Sequence, residues 1–326
     1  MPDPITRAAR LSVAPMMDWT DRNCRRFHRL MSRRTLLYTE MVTAPAIIHG
    51  ERGRLLDYDA AEHPVALQLG GSDPDELRQA TRIASDWGYD EINLNVGCPS
   101  DRVQSGAFGA ILMKSPQLVA DCVTAMQAVS PVEVTVKCRI GVDDQQAEEV
   151  LPAFIDTLRQ AGIRRVTIHA RKAWLKGLSA RENREIPPLD YPLVHAMKVQ
   201  FPDMHLSVNG GIASLDQARE HLAVMDGAMV GRAAYHEPWN ILGAADALWG
   251  DTPLFDSPQQ VAQAMRPLII DHLAQGGRLH QFTRHMLGLF HGQPGARSWK
   301  RTLSEGASKG GIEVYDAALA QVTEPA

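Results

Sequence analysis

The chain has 326 residues, 44% hydrophobic and 22% charged, with a formal net charge of −4, which suits one large core plus a smaller unit and excludes a disordered or fibrous chain. No apolar run reaches about 18 residues, and the start MPDPITRAARLSVAP lacks the basic-then-apolar layout of a secretory signal. A cytoplasmic protein with no membrane association is therefore expected.

Eight β-rich segments recur along the chain: residues 11–18, 36–42, 64–71, 91–100, 132–141, 165–172, 205–212 and 227–234. Amphipathic helical stretches lie between them, such as 73–88 and 147–162, the latter closing on Gly162 at a C-cap position. Strand and helix repeated eight times predict an α/β fold, a (β/α)8 TIM barrel. The alternative, an open doubly wound sheet, would need a Gly-rich dinucleotide fingerprint after its first strand, where APMMDWT stands instead.

From residue 257 the β-rich segments stop, and 257–277 and 279–292 read as amphipathic helices. We expect a catalytic barrel over 1–245 and a smaller all-helical C-terminal domain over 246–326. That domain holds the basic stretch: between Arg266 and Lys309 seven Lys or Arg face two acids, a local +5 in a chain whose remainder carries −9.

In a barrel, the last residues of each strand line the mouth where chemistry is kept. Here they are Met16 and Met17, Glu40, Gln68, Asn95 and Cys98, Lys137 and Arg139, His169 and Arg171, Asn209, and Arg232. The seventh and eighth strands end in VNGGI and VGRAA, where glycine backbones and Arg232 suit a phosphate monoester. Lys137 could place its charge beside a group that becomes anionic on reduction, as a flavin pyrimidine edge does, with Gln68 bonding that edge and Met16 and Met17 packing on the ring. A Schiff-base role for Lys137 stays open. The connection after the sixth strand, 172–191, is too long to be a plain link and is expected to be functional.

The motifs APMMDWTDRNCR, LNVGCPSDRVQSGAFGAILM, VTVKCRIG, TIHARKAWLKGLS, ENREIPPLDY, SVNGGI and MVGRAAY together resemble the tRNA-dihydrouridine synthases, most closely their bacterial A subfamily, from about residue 11 to about residue 305. The resemblance implies an FMN-dependent barrel with a helical tRNA-binding domain, reducing D-loop uridines 20 and 20a at the expense of NADPH. It assigns flavin contacts to Pro15, Met16, Met17, Gln68, Lys137, His169, Asn209, Gly210, Gly211, Gly231 and Arg232. NADPH is expected to visit only transiently, since no nicotinamide fingerprint is visible.

Saturating the 5,6 double bond of uracil takes a hydride at one carbon and a proton at its neighbour, and the proton needs its own acid. A free thiol is mainly protonated at neutral pH. Cys98, just past Asn95 at the end of the fourth strand and restrained by Pro99, is the candidate donor. His169 is an alternative acid, but the resemblance makes it a flavin contact. Cys24, Cys122 and Cys138 read as core filler, and Cys138 has the opposite strand parity to Lys137. The four cysteines lack disulfide or zinc spacing, so no metal is expected.

Asn95 is expected to read the uracil edge, with a purely structural amide as the runner-up. Glu182, Arg184 and Glu185 in the long loop, and Arg297, Lys300 and Arg301 around Trp299, are the expected RNA contacts. A stripe of Arg22, Arg25, Arg26, Arg29 and Arg33 reads as a solvated face, and Gly106 and Gly109 as turn formers in a loop near RNA. A monomer is expected. The rival readings are an FMN barrel reducing a free pyrimidine, and an RNA-binding module without redox chemistry.

Overall fold

A computed structural model describes residues 4–100 and 108–322. Eight parallel strands close into one barrel in chain order: β1 Leu11–Val13, β2 Leu36–Thr43, β3 Val65–Gly70, β4 Glu91–Val96, β5 Glu133–Arg139, β6 Arg165–His169, β7 His205–Asn209 and β8 Gly227–Val230. β8 pairs back onto β1 through Leu11 and Ala228, which excludes the open sheet. All the strands except β2 stop short of the β-rich runs that foretold them, β1, β4 and β8 by four residues or more. β4 ends at Val96 because the Asn95 side-chain oxygen takes the N–H groups of Gly97 and Cys98, at 3.1 and 3.0 Å. After β1, Thr20 ties off the N–H of Met16 at 3.0 Å.

Side-chain alternation sorts the two faces of the barrel wall. Cys138 packs with Leu94, Val96 and Val136 in the layer between strands and helices, while Lys137 faces inward. The inward positions are largely polar and satisfy one another. Asn95 donates to Gln68, Gln68 to Asn93 and Asn93 to Thr135, each at 2.8 Å. The chain ends on buried Glu91, which also accepts from the Tyr38 hydroxyl at 2.6 Å and pairs with Arg165 at 2.9 Å. Below this, the short helix Pro4–Ala8 plugs the barrel floor with Ile5 and Ala8 against Leu36 and Met229.

Among the described residues no helix is long and apolar enough to cross a membrane. The arginine stripe that starts on the helix Arg22–Met31 is only in part the solvated face its spacing suggested: Arg22 and Arg33 are exposed, Arg25 and Arg29 are not. Arg25 and Arg29 are 4% and 8% exposed. Arg25 pairs with buried Glu62 at 2.5 Å, and Arg29 donates to the carbonyls of Ser32, Thr35, Glu62 and Pro64. Arg22, Arg26 and Arg33 find Asp57, Asp59 and Asp246. The carboxylate partners are distant in sequence, so periodicity alone could not disclose them.

The helices Pro258–Ala274, His280–Met286, Ala296–Gly306 and Ile312–Leu319 form the C-terminal unit. Its core is Trp299, fully buried, with Phe290 and Tyr315 edge-on at 4.9 and 5.6 Å and its indole N–H on the Met286 carbonyl. Residues 246–251, at the expected start of this domain, bond to residues 32–34 and to Arg7 on the barrel side. Asp246 accepts from Ser32 and the N–H groups of Arg33 and Arg34, Trp249 donates to Arg7, and Asp251 pairs with Arg34.

Candidate active site

The Cys98 turn is held from several sides. Besides Asn95, the guanidinium of Arg139 donates to the Gly97 carbonyl at 3.0 Å, and the Cys98 carbonyl accepts from Ala110 at 2.9 Å. The half-buried sulfur lies 3.4 Å from the Ser100 hydroxyl, within electrostatic reach of Lys137, Arg139 and Arg184. Asn95 thus spends its oxygen on this turn and one amide hydrogen on Gln68. These are the bonds of a structural amide, and among the described residues one amide hydrogen is left over. Gln68, 1% exposed, is bonded to Asn95 and Asn93 beneath the mouth.

Lys137 crosses to the Asn209 amide oxygen at 2.9 Å, and Asn209 donates to the Met229 carbonyl. Among the described residues no carboxylate pairs with Lys137, and burial, then the nearby Arg139, pushes its ammonium down to about 8. It remains mostly charged at neutral pH and lacks a counter-charge. Burial and the surrounding Arg139, Lys137, Arg171 and Arg184 push His169 well below the usual imidazole range. A neutral ring is a poor reserve acid, which weighs toward Cys98 as the donor.

The β7 and β8 ends form a cradle. Gly210 and Gly211 have φ of +107° and +73°, and a Cβ on Gly210 would stand 2.5 Å from the His169 ring. The Tyr191 hydroxyl holds the Gly210 carbonyl at 2.6 Å. A Cβ on Gly231 would meet nothing nearer than Ala14 at 3.8 Å and Met16 at 3.9 Å, whereas Met17 is half-exposed at the rim. Pro15 carries the chain between β1 and this pair. Arg232, beside the cradle, pairs with Glu185 at 2.6 Å.

Within the 172–191 loop the organiser is a residue the sequence reading passed over. Asn183 is fully buried, and its amide bonds to the backbone of Trp174, Leu178 and Ser179. Glu182 is committed to a reciprocal cap with Ser179, and Glu185 to Arg232, which leaves Arg184 exposed toward the mouth. The preference of asparagine for turns was the available signal.

On the helical unit, Arg297, Lys300 and Arg301 are exposed and have no ion-pair partner among the described residues. Arg266 and Arg284, from the same basic stretch, are neutralised by Asp316 and Asp21. Trp299, at the centre of ARSWKR, is core and not part of the basic surface. His236 is lowered by burial, then by Arg232 and Lys300, so the basic helix adjoins the mouth. Gly109 takes φ +76°, while Gly106 lies outside the described residues. A cavity of about 760 Å³ opens at the opposite end, lined by Ile5, Arg33, Pro64 and Trp249, away from these strand ends.

The family model described as "Dihydrouridine synthase (Dus)" matches residues 12–323. The chain belongs to the dihydrouridine synthase family. Among curated members, the chain is 54% identical to the tRNA-dihydrouridine(20/20a) synthase of Vibrio vulnificus over 323 residues, 98% of this chain and 99% of that one. It is 59% identical to the protein of the same name from Escherichia coli K12 over 309 residues, 94% and 89% of the two chains. The solved old yellow enzyme homologue from Zymomonas mobilis is similar in fold, with a TM-score of 0.52 at 14% identity over 70% of this chain and 86% of that one. In this member of the dihydrouridine synthase family, the described residues of the quoted motifs fall on the strand ends and on the segments that follow them.

Proposed function

We propose that the protein is an FMN-dependent tRNA-dihydrouridine(20/20a) synthase, a cytoplasmic monomer that reduces D-loop uridines with NADPH. Family membership and the names of the relatives support this reading. The observation that carries the mechanism is Cys98 on a multiply anchored turn among Lys137, Arg139 and Arg184.

The residues present fit FMN. Gly210, Gly211, Gly231 and Arg232 form a cradle for its phosphate, Pro15, Met16 and Met17 line its ring, and Gln68, Asn209 and His169 lie at the polar side. Lys137 supplies the unpaired cation that a reduced, anionic pyrimidine edge requires. When bound, FMN supplies the hydride, taken from NADPH. Cys98 gives its proton to the neighbouring uracil carbon, and the surrounding cations stabilise the thiolate that remains before water reprotonates it.

The target base must leave its stack to enter the mouth, where Asn95 and Arg184 reach its edge. Glu182 and Glu185 shape the loop for that contact, and Arg297, Lys300 and Arg301 take the phosphates. Their unpaired state beside the mouth favours RNA over a free pyrimidine; equal turnover of free uridine would favour the rival. In Cys98→Ala, FMN binding and reduction by NADPH stay intact while tRNA reduction falls about 10²- to 10⁴-fold. Near-normal turnover on unmodified tRNA would overturn the donor role.

A further inference from the structure

The buried guanidinium of Arg139 has an unusual set of partners. It is 2% exposed at the end of β5, and its partners are backbone carbonyls: Nε donates to Gly97 at 3.0 Å, and Nη1 donates to Lys172 at 3.0 Å and Asn183 at 2.8 Å. Burying a cation opposite neutral groups is costly, and an apolar residue of similar volume would pack there at less cost. The position therefore needs a reason beyond packing.

The partners supply one. Gly97 O and Cys98 N–H belong to the same peptide plane, and the structure holds both ends of it: Arg139 the carbonyl, Asn95 the N–H. With the Cys98 carbonyl held by the Ala110 N–H at 2.9 Å, both peptide planes around Cys98 are held, which fixes the direction in which its side chain leaves the backbone. The two other carbonyls belong to the 172–191 loop, one at its start and one at Asn183, whose side chain closes the loop and whose neighbour is Arg184. One rigid, planar fork thus spans the thiol turn and the base-facing loop. A lysine would keep the charge but could not reach both sides from a single nitrogen.

We propose that Arg139 is a positioning residue for base reduction: it aims the Cys98 thiol and ties that aim to the 172–191 loop, so the donor is in place only when the loop is. This rests on Cys98 as the proton donor. The test is single-turnover, anaerobic reoxidation of NADPH-reduced holoenzyme by saturating unmodified tRNA, compared for wild type, Arg139→Lys, Cys98→Ala and the double variant.

Arg139→Lys should reoxidise about 10- to 100-fold more slowly, as expected for a misplaced reacting group. Its FMN content and its reduction by NADPH should match wild type, which a general loss of structure would not allow. In the Cys98→Ala background the same substitution should add almost nothing, because there is no thiol left to aim. A wild-type rate for Arg139→Lys, or an undiminished further loss in the double variant, overturns the proposal and leaves the donor role standing. A wild-type rate for Cys98→Ala, which retains Arg139, overturns the donor role and the proposal with it. If Arg139→Lys does not fold, Asn183→Ala decides, since it frees the loop carbonyl and leaves the guanidinium in place. The same Cys98-dependent slowing supports the proposal, and a wild-type rate overturns it.

Discussion

At Gly210 two constraints meet in one residue. Its φ of +107° is strained for any side chain, and a Cβ would collide with the His169 ring. Gly210→Ala should therefore shift either the turn or the imidazole. We expect a stability loss of about 1–3 kcal/mol in urea unfolding and a protein that purifies with little flavin. Full flavin content would remove the turn from the cofactor site. The sequence displayed the glycine pair but not the ring above it, because His169 is about forty residues earlier and reaches the turn only through the pairing of β6 with β7.

Among the elements, the helix Arg22–Met31 joins the two units through its own N-cap. Asp21 accepts the Cys24 N–H at 2.9 Å and also pairs with Arg284 and with His285 at 3.0 Å, both on the helical unit. Burial alone would raise this carboxyl, but the bonds to His285, Cys24 and Arg284 outweigh it and hold it at about 2. A carboxyl whose folded pKa is depressed contributes stability above its unfolded value near 4, and that contribution is lost as pH falls toward the folded value. Asp21→Asn keeps a capping oxygen but removes the charge. It should cost about 1–3 kcal/mol at pH 7, and the gap from wild type should close between about pH 4 and pH 2. A pH-independent gap would mean that the cap, not the ion pairs, carries the effect.

For the whole molecule, the placement of charge matters more than its sum. A chain of net charge −4 presents Arg297, Lys300 and Arg301, without an ion-pair partner among the described residues, next to a mouth rich in cations, while Arg266 and Arg284 of the same basic stretch are neutralised within the fold. Replacing all three by alanine should raise the KM for tRNA and lower the slope of log affinity against log salt by about two to three, at roughly one phosphate per cation. Turnover at saturating tRNA and flavin reduction should change little. An unchanged salt slope would assign the phosphate contacts elsewhere.

The barrel, the strand-end placement of Gln68, Asn95, Lys137, His169 and Asn209, and the opposite parity of Lys137 and Cys138 were legible in the sequence because alternation and strand–helix recurrence are local patterns, repeated eight times. The Cys98, Gly210–Gly211 and Gly231–Arg232 motifs were legible for the same reason: each lies within a few residues of a strand end. The tertiary structure alone decided the partners. It assigned Asn95 to the thiol turn, paired Glu185 with Arg232, made Asn183 the centre of its loop, and buried Arg25, Arg29 and Arg139 on acceptors far along the chain. Hydrogen bonds and ion pairs are settled by distance in space, and in a barrel that distance is set by which strands lie side by side rather than by spacing along the chain.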